Sequence, residues 1–299
     1  MRRRSTRTRR GFRVLIATDG SPAAQAALST TCAFPWPRGS QVRGLVASPP
    51  NWIGGSPEYV RIASSRAFER PAAAARRRLA EHWPDAQVTV VEQAPADAIL
   101  GAAKRFSSHV IVLGWRGHGT FRRLLMGSVS RDVVHRARVS VLVVRRRVRQ
   151  IRRIVIGVDG SPNARRAVEL AARLRRDAGT VIRVVRVNEP LVVPTAGRLP
   201  AAVRATILHN AAMLDKERLS MAQREADAAA TRLRRAGWSA RAEVRSGAPL
   251  AELLDVVQGS ECDLLIVGAR GAQGLRGALL GSVATGALNR SPASVLVVR

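Results

Sequence analysis

Asp263-Leu264-Leu265-Ile266-Val267-Gly268-Ala269-Arg270-Gly271, followed after nine residues by Gly281-Ser282, is an apolar run that breaks into a glycine turn and resumes at a Gly-Ser pair. The same arrangement stands earlier in the chain, as His109-Val110-Ile111-Val112-Leu113-Gly114-Trp115-Arg116-Gly117 and, again after nine residues, Gly127-Ser128. Each apolar run reads as a buried strand. Glycines at its end are expected to let the backbone turn with φ > 0 and approach a ligand without a Cβ in the way, and successive N–H groups there form an anion-binding nest. Val129, Val133 and Val134, like Val283, Ala287 and Leu288, recur at helical spacing. Ser128 and Ser282 therefore open helices, where unpaired N–H groups and the helix dipole favour a phosphate. One such loop could be an ordinary strand-to-helix connection. Two copies with the same glycines and interval argue for binding.

The duplication extends outward from this motif. Arg13-Val14-Leu15-Ile16-Ala17-Thr18-Asp19-Gly20-Ser21-Pro22 has its twin in Arg153-Ile154-Val155-Ile156-Gly157-Val158-Asp159-Gly160-Ser161-Pro162. Each is a short strand ending in Asp-Gly-Ser-Pro, with Ser as N-cap and Pro at the first helical position. Helices over 23–28 and 164–174 should follow, then second strands over 41–47 and 180–188. Proline-punctuated loops come next, at 49–57 and 190–200. Longer helical regions run over 58–83 and 201–236, and Pro71 is expected to break the first. Third strands at 87–91 and 240–245 lead into helices opened by Pro95 and Pro249. Ser-Val-Leu-Val-Val-Arg closes both halves, at Ser140–Arg145 and Ser294–Arg299. Asp19 and Asp159 are 140 positions apart and Gly114 and Gly268 are 154 apart, so the second copy carries 14 more residues in its middle.

Strands rich in Val, Ile and Leu that alternate with helices indicate an α/β fold: two tandem doubly wound, Rossmann-like domains, each a five-stranded parallel sheet covered on both faces. The expected boundaries are a disordered basic tail at 1–10, a first domain at 11–147 and a second at 151–299, with the linker around 145–152. The all-apolar last strands, 139–144 and 293–298, would be exposed edges unless paired. Pairing them makes an intramolecular pseudo-two-fold dimer, with a homodimer between chains as a further option. Ligands of such sheets bind beyond the carboxyl ends of the strands, where Asp19, Asp159 and the glycine loops converge.

Composition limits the alternatives. No apolar run in the 299 residues approaches a membrane span, and the N-terminus lacks the apolar segment of a secretory signal, so no membrane partner and a cytoplasmic location are expected. Cys32 and Cys262 are the only cysteines, which gives neither a disulfide framework nor a metal cluster. The net charge of +29 would attract polyanions, yet only Lys104 and Lys216 among the 50 basic residues are lysine, and the arginines are scattered along helices. Aromatic content is 4%, too low for a base-stacking surface. Nucleic acid is therefore expected to bind weakly, or through the tail.

The motif also separates nucleotide folds. A Rossmann fingerprint puts its glycines after the first strand, and here that strand ends in a carboxylate that would repel a pyrophosphate. There is no Gly-Lys-Ser/Thr either. Asp19 and Asp159 suit ribose or the adenine amino group, and the phosphates belong on the late glycine loop, with Arg116 and Arg270 inside the two turns available to offset their charge.

Asp at the end of the first strand, Gly-x2-Gly-x9-Gly-Ser after the fourth and a closing Val-Leu-Val-Val strand resemble the universal stress protein family, in its ATP-binding branch. The resemblance covers both halves. It implies a regulatory protein of stress adaptation or dormancy that binds an adenine nucleotide: ATP, with AMP or a cyclic nucleotide as alternatives and Mg2+ as a companion of ATP. It carries the nucleoside contacts to Ala17, Asp19 and Val46 and to Gly157, Asp159 and Val187. It carries the phosphate contacts to Gly114, Arg116, Gly117, Gly127 and Ser128 and to Gly268, Arg270, Gly271, Gly281 and Ser282. Two departures stand in the first half: Gln93 where the second has Gly247, and bulky Trp115 within the glycine turn. Two other readings remain open. An AMP-cleaving or AMP-transferring enzyme of the same fold would need a base, and His118 is the one candidate, with Ala272 at the equivalent place. A polyanion-binding protein would work through the arginine surface.

Overall fold

The computed structural model describes residues 11–48, 57–116, 126–191, 200–271 and 280–299. The first half runs β1 (Arg13–Ala17), α1 (Pro22–Ala33), β2 (Gln41–Ser48), α2 (Pro57–Ala80), β3 (Val88–Glu92), α3 (Pro95–Phe106), β4 (Val110–Gly114), α4 (Ser128–Arg136) and β5 (Ser140–Val144). The second repeats it as β6 (Arg153–Val158), α5 (Pro162–Arg173), β7 (Val181–Asn188), α6 (Ala201–Arg235), β8 (Ser239–Ser246), α7 (Pro249–Gly259), β9 (Leu264–Gly268), α8 (Ser282–Arg290) and β10 (Ser294–Val298). The tail, most of both proline-rich loops, Gly117, His118 and Ala272 lie outside the described residues.

One ten-stranded sheet results, in the order β3-β2-β1-β4-β5-β10-β9-β6-β7-β8. Strands are parallel within each half. The two halves join where β5 and β10 pair antiparallel, with Val143 opposite Val295, Leu142 opposite Leu296 and Val141 opposite Val297. Strand alternation divides the core into two layers. One gathers Val14, Ile16, Val46, Ile154, Ile156 and Val184 with residues of α1, α2, α5 and α6. The other gathers Leu15, Ala17, Leu45, Val155, Val185 and Val187 with α3, α4, α7 and α8.

Local sequence explains the element boundaries. Ser21 and Ser161 cap α1 and α5, their side-chain oxygens accepting from the N–H of Ala24 at 3.2 Å and Ala164 at 3.1 Å. The α1 helix runs five residues past the expected Leu28, because Thr30 and Thr31 are buried and the Thr31 hydroxyl donates to the Ala27 carbonyl. Pro71 does not break α2, which is continuous over Pro57–Ala80. The buried Ala72, Ala75 and Leu79 hold the following turns against the sheet, and the proline ring packs over Gly20, whose left-handed backbone (φ +80) a Cβ would bring to 2.9 Å from that ring. The connection between halves is also not a free linker: Val148 and Ile151 are buried, and the Val148 N–H donates to Thr30 Oγ1. Most of the extra length of the second half appears in α6, 35 residues long against 24 for α2. Val203, Leu208, Met213 and Leu214 in its first half are exposed.

Candidate functional site

In both halves the first strand leads into an aspartate that folds back on its own turn, two residues after the end of β1 and directly after β6. Asp19 Oδ1 accepts from the Ser21 N–H and Asp159 Oδ1 from the Ser161 N–H, each at 3.0 Å. The intervening Gly20 and Gly160 have φ of +80 and +76, the left-handed region that glycine enters without strain. Among the described residues, these are the left-handed glycines beside the two strand-end aspartates. The expectation of φ > 0 for the later motif is not met at the glycines described there: Gly127 and Gly281 have φ of −58 and −77, and neither Gly114, Gly268 nor Gly271 is left-handed.

Those glycines serve close approach instead. A Cβ on Gly114 would lie 2.7 Å from the Ala23 backbone, and one on Gly268 3.0 Å from the Ala164 nitrogen, so both let the first turn of α1 or α5 settle against the strand end. Gly271 has a different neighbour. A Cβ there would lie 2.6 Å from Asp159 Oδ2, which brings the late glycine turn and the early strand-end carboxylate onto one crevice. The Arg270 carbonyl accepts from Ser161 Oγ at 3.3 Å and Asn163 Nδ2 at 3.4 Å, tying the same two segments together.

The Gly-Ser pairs return the chain to the strand ends. The Gly127 N–H donates to the Trp115 carbonyl at 2.9 Å, and the Gly281 N–H to the Ala269 carbonyl at 2.8 Å. Ser128 and Ser282 are exposed as the first residues of α4 and α8, and neither helix has a side-chain cap among the described residues. Their leading N–H groups can thus meet an anion. Gly117 lies outside the described residues.

At three positions expected to contact the nucleoside, the side-chain position points into the core. Val46 is fully buried in the α1/α2 layer, while Val187 lies in the opposite, α7/α8 layer. The strand pairing explains this: Leu45 is level with Ala17 and Val185 with Gly157, so Arg186 matches Val46 and the partly buried Ala47 matches Val187. Ala47 is therefore the register equivalent of Val187, a correspondence that matching the strands by their spacing from Asp19 and Asp159 also gives. Ala17 is 8% exposed inside the α3/α4 layer, and the space beside Gly157 is filled by Leu253 and Val267. Alternation sends positions 17 and 157 into the core, so only their backbone remains for a ligand.

Trp115, which follows Gly114, is directed toward the other half. Its indole N–H reaches into the second half and donates to the Leu288 carbonyl at 3.0 Å, with the Arg145 guanidinium 3.8 Å from the ring centroid. Arg145 donates to the same carbonyl at 3.2 Å and to that of Asn289, at the end of α8. The second half reciprocates: Arg299 donates to the Val134 carbonyl at 2.5 Å and to that of His135, at the end of α4. Burial pushes both guanidinium pKa values down, and the neighbouring charges of Arg116, beside Arg145, and Arg270, beside Arg299, push them further. Each glycine turn thus carries a pair of arginines, a local excess of positive charge suited to an anion. The sequence signal for this pair was the arginine closing both copies of Ser-Val-Leu-Val-Val-Arg, hidden among the many arginines. The Gln93 departure leaves its turn intact, since its N–H donates to Ser48 as that of Gly247 does to Asn188.

A family model described as the universal stress protein family matches residues 12–145 and 150–299. Universal stress protein Rv1996 of Mycobacterium tuberculosis is 27% identical over an alignment that covers 96% of this chain and 94% of its own. Among solved structures, a universal stress protein from Archaeoglobus fulgidus is similar with a TM-score of 0.66 at 20% identity, covering 96% of this chain and 98% of that one. A Pseudomonas aeruginosa structure is similar with a TM-score of 0.55 at 14% identity, over 96% and 92% of the two chains. Both structural likenesses bear on the fold.

Proposed function

The chain belongs to the universal stress protein family, and from that premise we propose that each half binds one adenine nucleotide, ATP, in a protein that regulates a stress response without turning the nucleotide over rapidly. The observation that carries the reading is the contact of Gly271 with Asp159: a strand-end carboxylate suited to the nucleoside and a glycine turn suited to phosphates share one crevice. The phosphates would lie against the turn, the open N-terminus of α8 and the Arg270–Arg299 pair, and in the first half against α4 and the Arg116–Arg145 pair. Mg2+ would travel with the phosphates. AMP and cyclic nucleotides satisfy the same nucleoside contacts and differ in the charge they bring to the turn.

Calorimetry with ATP tests this directly. The full chain should bind two equivalents. Gly271→Val should bind one and stay folded, because its side chain displaces the movable end of Asp159 rather than backbone. Unchanged stoichiometry in that variant would falsify the assignment of the second site. Steady ATP turnover that His118→Ala abolishes would instead establish the enzyme reading.

A further inference from the structure

Of the nine exposed large hydrophobic residues among the described ones, seven fall between Val203 and Met221 in α6. No residue of 202–221 is buried, and Ala222 is the first that is. Leu79 of α2 and Leu233 of α6 are the buried leucines that seat each helix on the sheet, and they are 154 apart, as Gly114 and Gly268 are. By that match α2 starts level with Ala211, so 201–210 is a helical addition of the second half. Asp215 accepts from the Asn188 side chain at 3.1 Å, at the end of β7, and Ala211, Asp215 and Arg218 are the partly buried residues of the stretch. These three mark the row of α6 that faces the body of the protein.

A second row stands beside it. Ile207, Leu214 and Met221 recur every seven residues, two turns of helix, and Val203 stands one turn before Ile207. These four residues are between 38% and 54% exposed. An apolar repeat of seven keeps its row in line with a neighbouring helix, which makes a helix the fitting occupant. Charge selects whose helix it is. Residues 201–227 carry Arg204, Lys216, Arg218 and Arg224 against Asp215, Glu217, Glu225 and Asp227, so the stretch is neutral in a chain of net charge +29. A polyanion or an anionic lipid surface is drawn to the arginine-rich faces instead. A second copy of the chain, repelled by those faces, meets no such repulsion along this row.

We propose that α6 pairs with α6 of a second copy in an antiparallel two-fold dimer centred on Leu214. The row is self-complementary about that point: Leu214 meets its own copy, and Ile207 meets the partner's Met221 on either side of the axis. The last strands, β5 and β10, are already paired with each other, so they are not free to join two chains. The exposed parts of the four side chains come to roughly 350 Å2 per copy, which with the usual polar share makes about 1,200 Å2 in total, the lower end of specific interfaces. A dimer of that size forms and parts at micromolar concentrations.

Sedimentation velocity of the full chain over about 1 to 300 μM should show a monomer–dimer equilibrium with a dissociation constant on the order of 10 μM. Because two strongly basic bodies approach each other, raising the salt from about 50 to about 500 mM should leave the dimer as strong or stronger. Leu214→Glu, at an exposed position, puts two carboxylates at the axis and should raise the dissociation constant at least about tenfold while the thermal melt of the chain is unchanged. A mixture of Ile207→Cys and Met221→Cys chains should cross-link on mild oxidation, beyond the background from Cys32 and Cys262, and neither chain alone should. A monomer at every concentration, a dimer that salt dissolves, indifference to Leu214→Glu, or no cross-link in the mixture would each overturn the proposal. None of these outcomes bears on the nucleotide sites, whose own titration is read separately.

Discussion

Gly114 and Gly281 belong to one motif but are constrained by different neighbours. A Cβ on Gly114 would press on the Ala23 and Ala24 backbone, which has no rotamer to yield, whereas a Cβ on Gly281 would meet nothing closer than 3.5 Å. Gly114→Ala should therefore cost about 1–3 kcal/mol as overpacking does. Gly281→Ser, which puts a good N-cap residue in front of α8, should leave stability level or raise it by a few tenths. Urea denaturation of the two variants decides this; a Gly114→Ala protein as stable as the parent would mean that α1 does not rest on the strand end. His109 gives a residue-level pH dependence. Its Nδ1 accepts from the Arg13 N–H at 3.0 Å and its ring stacks on Phe12. Burial, then the charges of Arg13 and Arg173, hold its pKa below the ordinary histidine value. Below about pH 6.5 the unfolded chain takes up a proton that the folded one refuses, so the contribution of His109 is full above that pH and is lost as the pH falls. Thermal melts from pH 5 to 7.5 should show stability rising with pH, and His109→Gln should flatten that rise; parallel profiles would dismiss it.

The reciprocal arginines act at the level of elements, since each closing strand delivers a guanidinium to the last helix of the other half. The final carbonyls of a helix lack intrahelical partners, and a cation there also meets the negative end of the dipole. Arg145→Met keeps most of the side-chain volume and removes both donations to the end of α8, so it should cost about 1–3 kcal/mol, measured by urea denaturation. Arg145→Lys should recover little of that, because one ammonium cannot span two carbonyls as the fork does. A loss below about 0.5 kcal/mol for Met would show that solvent satisfies those carbonyls equally well. The elements themselves were legible, because Val-rich runs alternate with capped helices and the second copy repeats each signal. What crosses between elements was not. Nothing in the run Leu45-Val46-Ala47 tells which residue faces which layer until β2 is laid beside β1, and a shift of one residue exchanges the faces. That is why Val46 was read where Ala47 stands. Pro71 misled for a similar reason: its local cost is real, but the packing of Ala72, Ala75 and Leu79 outweighs it.

For the whole molecule, the two-domain plan and the joining of the halves through their last strands followed from an apolar edge that had to be covered. The contact of the α1–β2 connection with the α5–β7 connection, where the Arg175 N–H donates to the Pro35 carbonyl, could not be foreseen, because each connection alone reads as an unremarkable turn. Joining β5 to β10 within one polypeptide also changes what evolution can do with the pair. Two separate chains would part on dilution below their dissociation constant and would have to keep self-complementary surfaces. Here the mates are tethered at an effective concentration of about millimolar, however scarce the protein is in the cell. Neither half need remain a copy of the other to keep its mate, and the tryptophan at position 36 opposite the arginine at position 176 records that freedom.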